Sequence, residues 1–171
     1  MRNMRLVRPL AAITATAALV ATMAPSATAA TATANLTVSA TVTKNCTVTT
    51  SALAFGSYDP VVANASANLD GTGGVTVACT RGATASIALG AGSNASGATR
   101  RMADGAGNFL TYELYSDSGR SSVWNTAAGS LSLTAAPSRA ARDYTVYGRI
   151  SGNQDVPAGT YGDTVVATVN F

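Results

Sequence analysis

Few side chains in this 171-residue sequence could do covalent or acid–base chemistry, and their spacing keeps them apart. There is no histidine, which removes Ser–His and Cys–His nucleophile pairs. A Ser–Lys dyad would have to use Lys44, the sole lysine. Lys44 stands beside Asn45 at a strand end, where a solvated charge protects an edge. Glu113 and Asp117 have the residue types of a glycosidase pair. On a continued strand they would share a face about 13 Å apart, beyond the roughly 5–9.5 Å that such chemistry uses. Asp117 also falls in the turn sequence "SDSG", so solvated surface charge is the expectation. Arg100 and Arg101 lie in a Gly-rich stretch and are expected to be solvated rather than to hold an anion. Trp124, the only tryptophan, is read as a core plug or strand-end cap rather than a sugar platform. The Asn-x-Ser/Thr triplets at Asn35, Asn45, Asn64 and Asn94 are what this composition produces by chance. No Gly-rich phosphate loop leads from a strand into a helix. The reading is of a protein that is not an enzyme, with no catalytic residue, cofactor or metal site.

The remaining reactive pair is Cys46 and Cys79, and its meaning depends on the front of the chain. Arg2, Arg5 and Arg8 precede an apolar run, "LAAITATAALVATM", and Ala27-Thr28-Ala29 is an A-x-A cleavage site. Residues 1–29 therefore read as a signal peptide, whose apolar core is too short and too rich in Thr to span a membrane. In an exported chain with an even cysteine count, one disulfide is expected. Two cysteines without histidine or clustered carboxylates make a poor metal site. Of the eleven basic residues three lie in the leader, so eight remain against eight acids, and the mature chain is neutral. No basic patch is visible for phosphate contacts, so no nucleic-acid partner is expected.

These residues must be positioned by strands. No stretch of the mature chain keeps an apolar 3.6-residue period beyond about two turns. Thr, Val, Ala, Ser and Gly dominate, with turn signals every ten residues or so, which predicts an all-β sandwich or barrel. Expected strands are "ANLTVSATV", "CTVTT", "ALAFGSY", "VTVACT", "ASIALG", "FLTYELY", "SLSLT", "DYTVYGRI" and a final one within "TYGDTVVATVNF". "DPVVANASANLDGTGG" is read as a loop, and "AGSNASGATRRMADGAGN" as a mobile surface loop. In the final strand Tyr161, Asp163, Val165, Ala167, Val169 and Phe171 share one face. An apolar-faced strand at a terminus invites a partner strand. The alternating N-terminal segment around Ala34, Leu36, Val38 and Ala40 could be such a strand, added to another sheet. On pattern alone, pairing within its own domain is the simpler expectation.

From "NCTV" onward the sequence resembles the spore coat protein U domain family, which includes archaic chaperone–usher pilins. Phe55-Gly56-x-Tyr58-x-Pro60 matches the family's turn, and "VTVACTRGAT" supplies the second cysteine followed by Thr and Gly. Arg100, Met102, Leu110, Tyr112, Leu114, Tyr115, Asp117, Arg120 and Trp124 match a further run of family positions. "YTVYGRISGNQDVPAGTYGDTVVATVNF" matches the closing signature almost throughout, while "SLSLTAAPSRAARD" is the least typical part.

The resemblance implies an incomplete immunoglobulin-like β-sandwich, completed by donor-strand complementation. Its domains would be a signal peptide over 1–29, a donor-strand extension over 30–43 and an incomplete pilin domain over 44–171. A periplasmic chaperone would lend a strand first. At an outer-membrane usher, the N-terminal segment of another pilin subunit would replace it. Ala34, Leu36, Val38 and Ala40 would be the donor residues, and Val165, Ala167, Val169 and Phe171 the acceptor edge that a chaperone also binds. A Cys46–Cys79 bridge would tie the first strand of the domain to the third. The function implied is a fimbrial subunit for adhesion and biofilm formation, exported through the periplasm to the cell surface. The family name keeps open a spore or cell coat protein. A secreted carbohydrate-binding module is the alternative from another class; it needs exposed aromatics on one face, and Phe109 and Tyr115 share one with Glu113.

Overall fold

The computed structural model describes residues 26–126 and 129–171; the signal peptide expected over 1–29 lies almost wholly outside them. The chain divides into two units, one ending at Ser39 and one running from Ala40 to Phe171. In the first, residues 26–39 are exposed and carry no strand. The strand expected for "ANLTVSATV" is therefore absent here: alternation gives a segment a sheet face, but the ladder bonds of a strand have to come from a neighbour.

The second unit is all-β. Its strands are β1 (Cys46–Ser51), β2 (Leu69–Cys79), β3 (Ala85–Leu89), β4 (Arg101–Ala103), β5 (Phe109–Thr111), β6 (Glu113–Tyr115), β7 (Leu131–Leu133), β8 (Arg142–Ile150) and β9 (Ala167–Asn170). They form a four-stranded sheet in the order β1-β2-β8-β6, a three-stranded sheet β7-β3-β9 and a two-stranded ribbon β4-β5. Every pairing is antiparallel. The core is shared by both larger sheets: Val75, Val77, Val146, Ile150 and Leu114 from one meet Ile87, Leu89 and Leu133 from the other. Alternate β8 residues are buried while Asp143 and Thr145 face water, as a half-buried strand requires.

Cys46 and Cys79 are bonded and sit directly opposite one another in the β1–β2 ladder. The bridge thus joins the first strand to the second, not to the third, because "ALAFGSY" forms no strand. With a separation of 33 residues, reduction is expected to lower unfolding free energy by roughly 3–4 kcal/mol in the chain-entropy account. Denaturant titrations of the oxidised and reduced protein measure it.

"LDGTGG", read as loop, is the first half of β2. Its glycines serve packing. A Cβ on Gly73 would stand 2.8 Å from the Leu53 Cβ and 3.1 Å from its Cα, and one on Gly148 would stand 2.7 Å from the Phe55 ring. The segment Ala52–Ser57 therefore lies close against the β2–β8 sheet without joining a ladder. "FLTYELY" is likewise two strands, β5 and β6, divided at the buried Tyr112. Phe109 and Tyr115 consequently belong to different sheets.

The Gly-rich stretch 91–108 contains β4 and is not simply a surface loop. Arg100, expected to be solvated, is 2% exposed. Its guanidinium donates to the carbonyls of Gly90 (2.9 Å), Leu89 (3.0 Å) and Trp124 (2.7 Å) and to the Glu113 carboxylate. Arg101 is held as well, its guanidinium 3.9 Å above the Phe109 ring. Trp124 is fully buried, its Nε1 donating to the Ile87 carbonyl at 2.9 Å. Glu113 and Asp117 have structural work: the first pairs with Arg100, and the second accepts the amides of Ser121 and Ser122.

Candidate functional site: a trough beside the last strand

The candidate site is built from two stretches that leave backbone groups unpaired. One is the segment after β1. Among the described residues no backbone hydrogen bond is made from Leu53 to Ser57. Leu53 and Phe55 pin it by packing over the glycines of β2 and β8, and Phe55 meets Tyr112 edge-on at 6.1 Å. The turn that follows is held by its own hydrogen bonds. Asp59 accepts the amides of Val61 (2.9 Å) and Val62 (3.1 Å), and the buried Asn64 accepts the Asp59 amide. Tyr58 accepts the Gln154 amide at 2.9 Å, which ties this wall to the other.

The second wall is the run 155–170. Among the described residues β9 pairs only with β3, as an edge strand. Gly90 N donates to Val166 O (2.9 Å) and Ser93 N to Thr164 O (3.0 Å), extending that ladder. In an antiparallel ladder alternate residues face the partner. Val165, Ala167 and Val169 therefore turn their N–H and C=O groups to the open edge, while their side chains pack against the core.

Between the walls runs an apolar trough. One part, of about 360 Å³, is bounded by Leu53, Phe55, Val165 and Ala167 and floored by Val75, Leu89, Leu114 and Val146. A larger part, about 910 Å³, continues past Pro60, Val61, Leu110, Ile150 and Val156. Both parts share Leu53, Phe55, Met102 and Tyr161. One polar rung crosses the floor. Tyr112 Oη donates to Asp163 at 2.7 Å, and Asp163 also accepts the Asn94 amide at 3.0 Å. Burial, and then that bond to a carboxylate, holds the Tyr112 phenol far above its ordinary range, so it stays a donor. Gly92, at φ 95°, gives Asp163 its place, since a Cβ there would meet Oδ2 at 1.9 Å.

Of the residues singled out in the sequence, Val165 and Ala167 line the trough, Val169 packs on the core beyond it and Phe171 is 55% exposed. Ala34, Leu36, Val38 and Ala40 are exposed and in no strand. Leu53, Phe55, Met102 and Tyr112 were not singled out as site residues. The alternation of Leu53 and Phe55 within "ALAF" is their signal in the sequence, and by pattern alone it reads as an ordinary strand.

Asp59, Asp70, Asp104 and Asp117 all have lowered pKa values. The leading causes are the Val61 amide for Asp59, the Arg149 side chain for Asp70, the Asn108 side chain for Asp104 and the Ser122 amide for Asp117. A carboxylate depressed in the fold adds stability that is fully present above its unfolded value, about pH 4. That stability is lost as pH falls through the lower folded value. The melting temperature is expected to be flat from pH 7 to about 5 and to fall below about pH 4. Asp117→Asn should lessen the acid slope in the same melting series.

Residues 32–168 match the Spore Coat Protein U domain. The chain is 44% identical over 128 residues to Protein U of Myxococcus xanthus, covering 70% of this chain and 71% of that protein. Among solved structures it is similar to a chain of the CsuC–CsuE chaperone–tip adhesion subunit pre-assembly complex from archaic chaperone–usher Csu pili of Acinetobacter baumannii. That match has a TM-score of 0.55 and 21% identity over 77% of this chain. It spans 41% of the length of that chain, and at this identity the likeness is one of fold. Trough, edge strand and disulfide thus sit in an all-β domain, and the chain belongs to the spore coat protein U domain family.

Proposed function

We propose that this protein is a structural subunit of a surface fibre assembled by the chaperone–usher route, serving adhesion and biofilm formation rather than catalysis. A periplasmic chaperone first lays a strand in the trough, and at an outer-membrane usher residues 30–43 of another subunit replace it. Ala34, Leu36, Val38 and Ala40 then face the trough, while the edge at Val165, Ala167 and Val169 supplies the ladder. The observation that carries this reading is a trough whose two walls both leave backbone groups unpaired above an apolar floor. An apolar trough between an edge strand and a stretch that joins no ladder fits an added strand better than a small molecule, because a strand can bond to backbone groups on both sides. A contact between the front of one copy and the trough of the next is heterologous and does not close, so it builds a filament.

Electrophoresis of unheated surface extracts tests this. The native chain should run as a ladder of multiples, and Leu36→Asp should leave only single subunits, because a carboxylate cannot enter the trough unpaired. A ladder unchanged by Leu36→Asp would remove the donor role from this segment.

The Spore Coat Protein U match favours a second reading, a cell or spore coat built by the same strand exchange. Immunogold imaging separates the two: label along filaments supports the fibre, label in a continuous shell the coat.

A further inference from the structure

Thr80 fixes the point where the N-terminal stretch enters the domain. β2 ends at Cys79, and Thr80 adds one more rung to the β1–β2 ladder, its N–H donating to the Asn45 carbonyl at 2.8 Å. Its hydroxyl accepts the Asn45 N–H at 3.0 Å. The same hydroxyl stands 3.3 Å from each of the Thr43 and Asn45 carbonyls, either of which can take its proton. From Ala40 to Asn45 the exposed chain makes neither a turn nor a bend, so it runs on from β1 without doubling back. Thr80 is itself anchored. Its carbonyl accepts the Ala83 amide at 3.0 Å, and the Ala136 amide donates to Ala83 at 2.9 Å, both alanines being buried.

A chain that did double back would find its own trough close by. Residues 80–84 lead from the end of β2 to the start of β3, and Ser86 there pairs with Asn170 at the end of β9. Cys46, opposite Cys79, therefore lies at the end of the sandwich where β9 finishes. A reversal at Lys44 would bring residues 30–43 to the β9 edge of their own domain. Across so short a connection the effective concentration is on the order of millimolar, and the chain's own segment would win over another copy's. A trough filled from within is closed to other copies, and a fibre stops there.

We propose that Thr80 is a positioning residue: it holds residues 43–45 in line with β1 and so commits the N-terminal segment to the trough of a second copy. This rests on strand exchange being what the trough is for. The join "ATVTKN" holds no proline to stiffen it, so its direction depends on the bonds to Thr80. A reversal at Lys44 takes the Thr43 carbonyl and the Asn45 amide off the hydroxyl, and each bond lost favours the straight form.

The full mature chain, refolded at low concentration and sorted by size, tests this. Single subunits are melted with and without a peptide of residues 30–43. Native single subunits should gain stability from the peptide, because their troughs stand open. Closed subunits are those that the peptide does not stabilise. Thr80→Val, which keeps the shape and loses the hydroxyl, should raise the ratio of closed to open subunits about tenfold. Thr80→Ser should restore the native ratio. Four glycines inserted between Thr43 and Lys44 should raise the ratio with Thr80 intact, which keeps the test decisive if Thr80→Val fails to fold. Leu36→Asp in the full chain examines the trough alone, since its single subunits cannot fill themselves and should respond to the peptide. No response there would overturn strand exchange, and the role of Thr80 with it. A response there, with native subunits already closed or with both altered chains at the native ratio, would overturn the role of Thr80 alone.

Discussion

A domain beginning at Lys44 should melt on the order of 10–20 °C higher when a peptide of residues 30–43 is added. The expectation follows from the trough. Its floor is apolar and its walls leave N–H and C=O groups for an incoming strand. Four or five apolar side chains, each burying about 40–100 Å² at roughly 25 cal/mol/Å², contribute on the order of 5–10 kcal/mol before ordering costs. Backbone bonds along the β9 edge add to that. The same peptide with Leu36→Asp should give little or no shift. Full stability without peptide, and no rise on adding it, would mean that the sandwich is complete as it stands. The fibre reading would then fail.

The second large effect belongs to Arg100. It is 2% exposed, and its donors hold carbonyls on two stretches, at Leu89–Gly90 and at Trp124, besides Glu113. Arg100→Ala takes a donor from each of these acceptors and opens a cavity next to Trp124. Removing one partner of a buried pair costs roughly 3–5 kcal/mol. Glu113→Gln should cost less, about 1 kcal/mol, because the Glu113 side chain is 31% exposed and water can replace part of its role. Urea unfolding of the two variants measures the difference. Equal, small losses would mean that water reaches the guanidinium site in the native state.

The places where sequence and structure part share a cause. "LDGTGG" looked like a loop because glycine weakens strands, yet Gly71, Gly73 and Gly74 lie in β2. Gly71 and Gly73 leave room for Leu53 and Phe55 to lie against the sheet. "ALAFGSY" looked like a strand because its apolar residues alternate. Leu53 and Phe55 do point inward, but no neighbour supplies a ladder. Arg100 looked solvated because its flanks are Gly, Ser and Asn. Its burial follows from carbonyls at Leu89, Gly90 and Trp124, which nothing local to Arg100 announces.

The sequence by itself determined what depends on neighbours along the chain. Period-two patterning settled the all-β class and the inward face of Val165, Ala167 and Val169. Two cysteines allowed one intrachain disulfide, and family motifs reached nearly the whole mature chain. The tertiary structure decided what depends on groups far apart in sequence. It put Cys46 opposite Cys79 on adjoining strands, paired β9 on one side only and divided "FLTYELY" between two sheets. It also set Tyr147 beside Tyr115. The reason is physical: side-chain direction repeats within one strand, whereas hydrogen-bond partners belong to whichever strand the fold brings alongside.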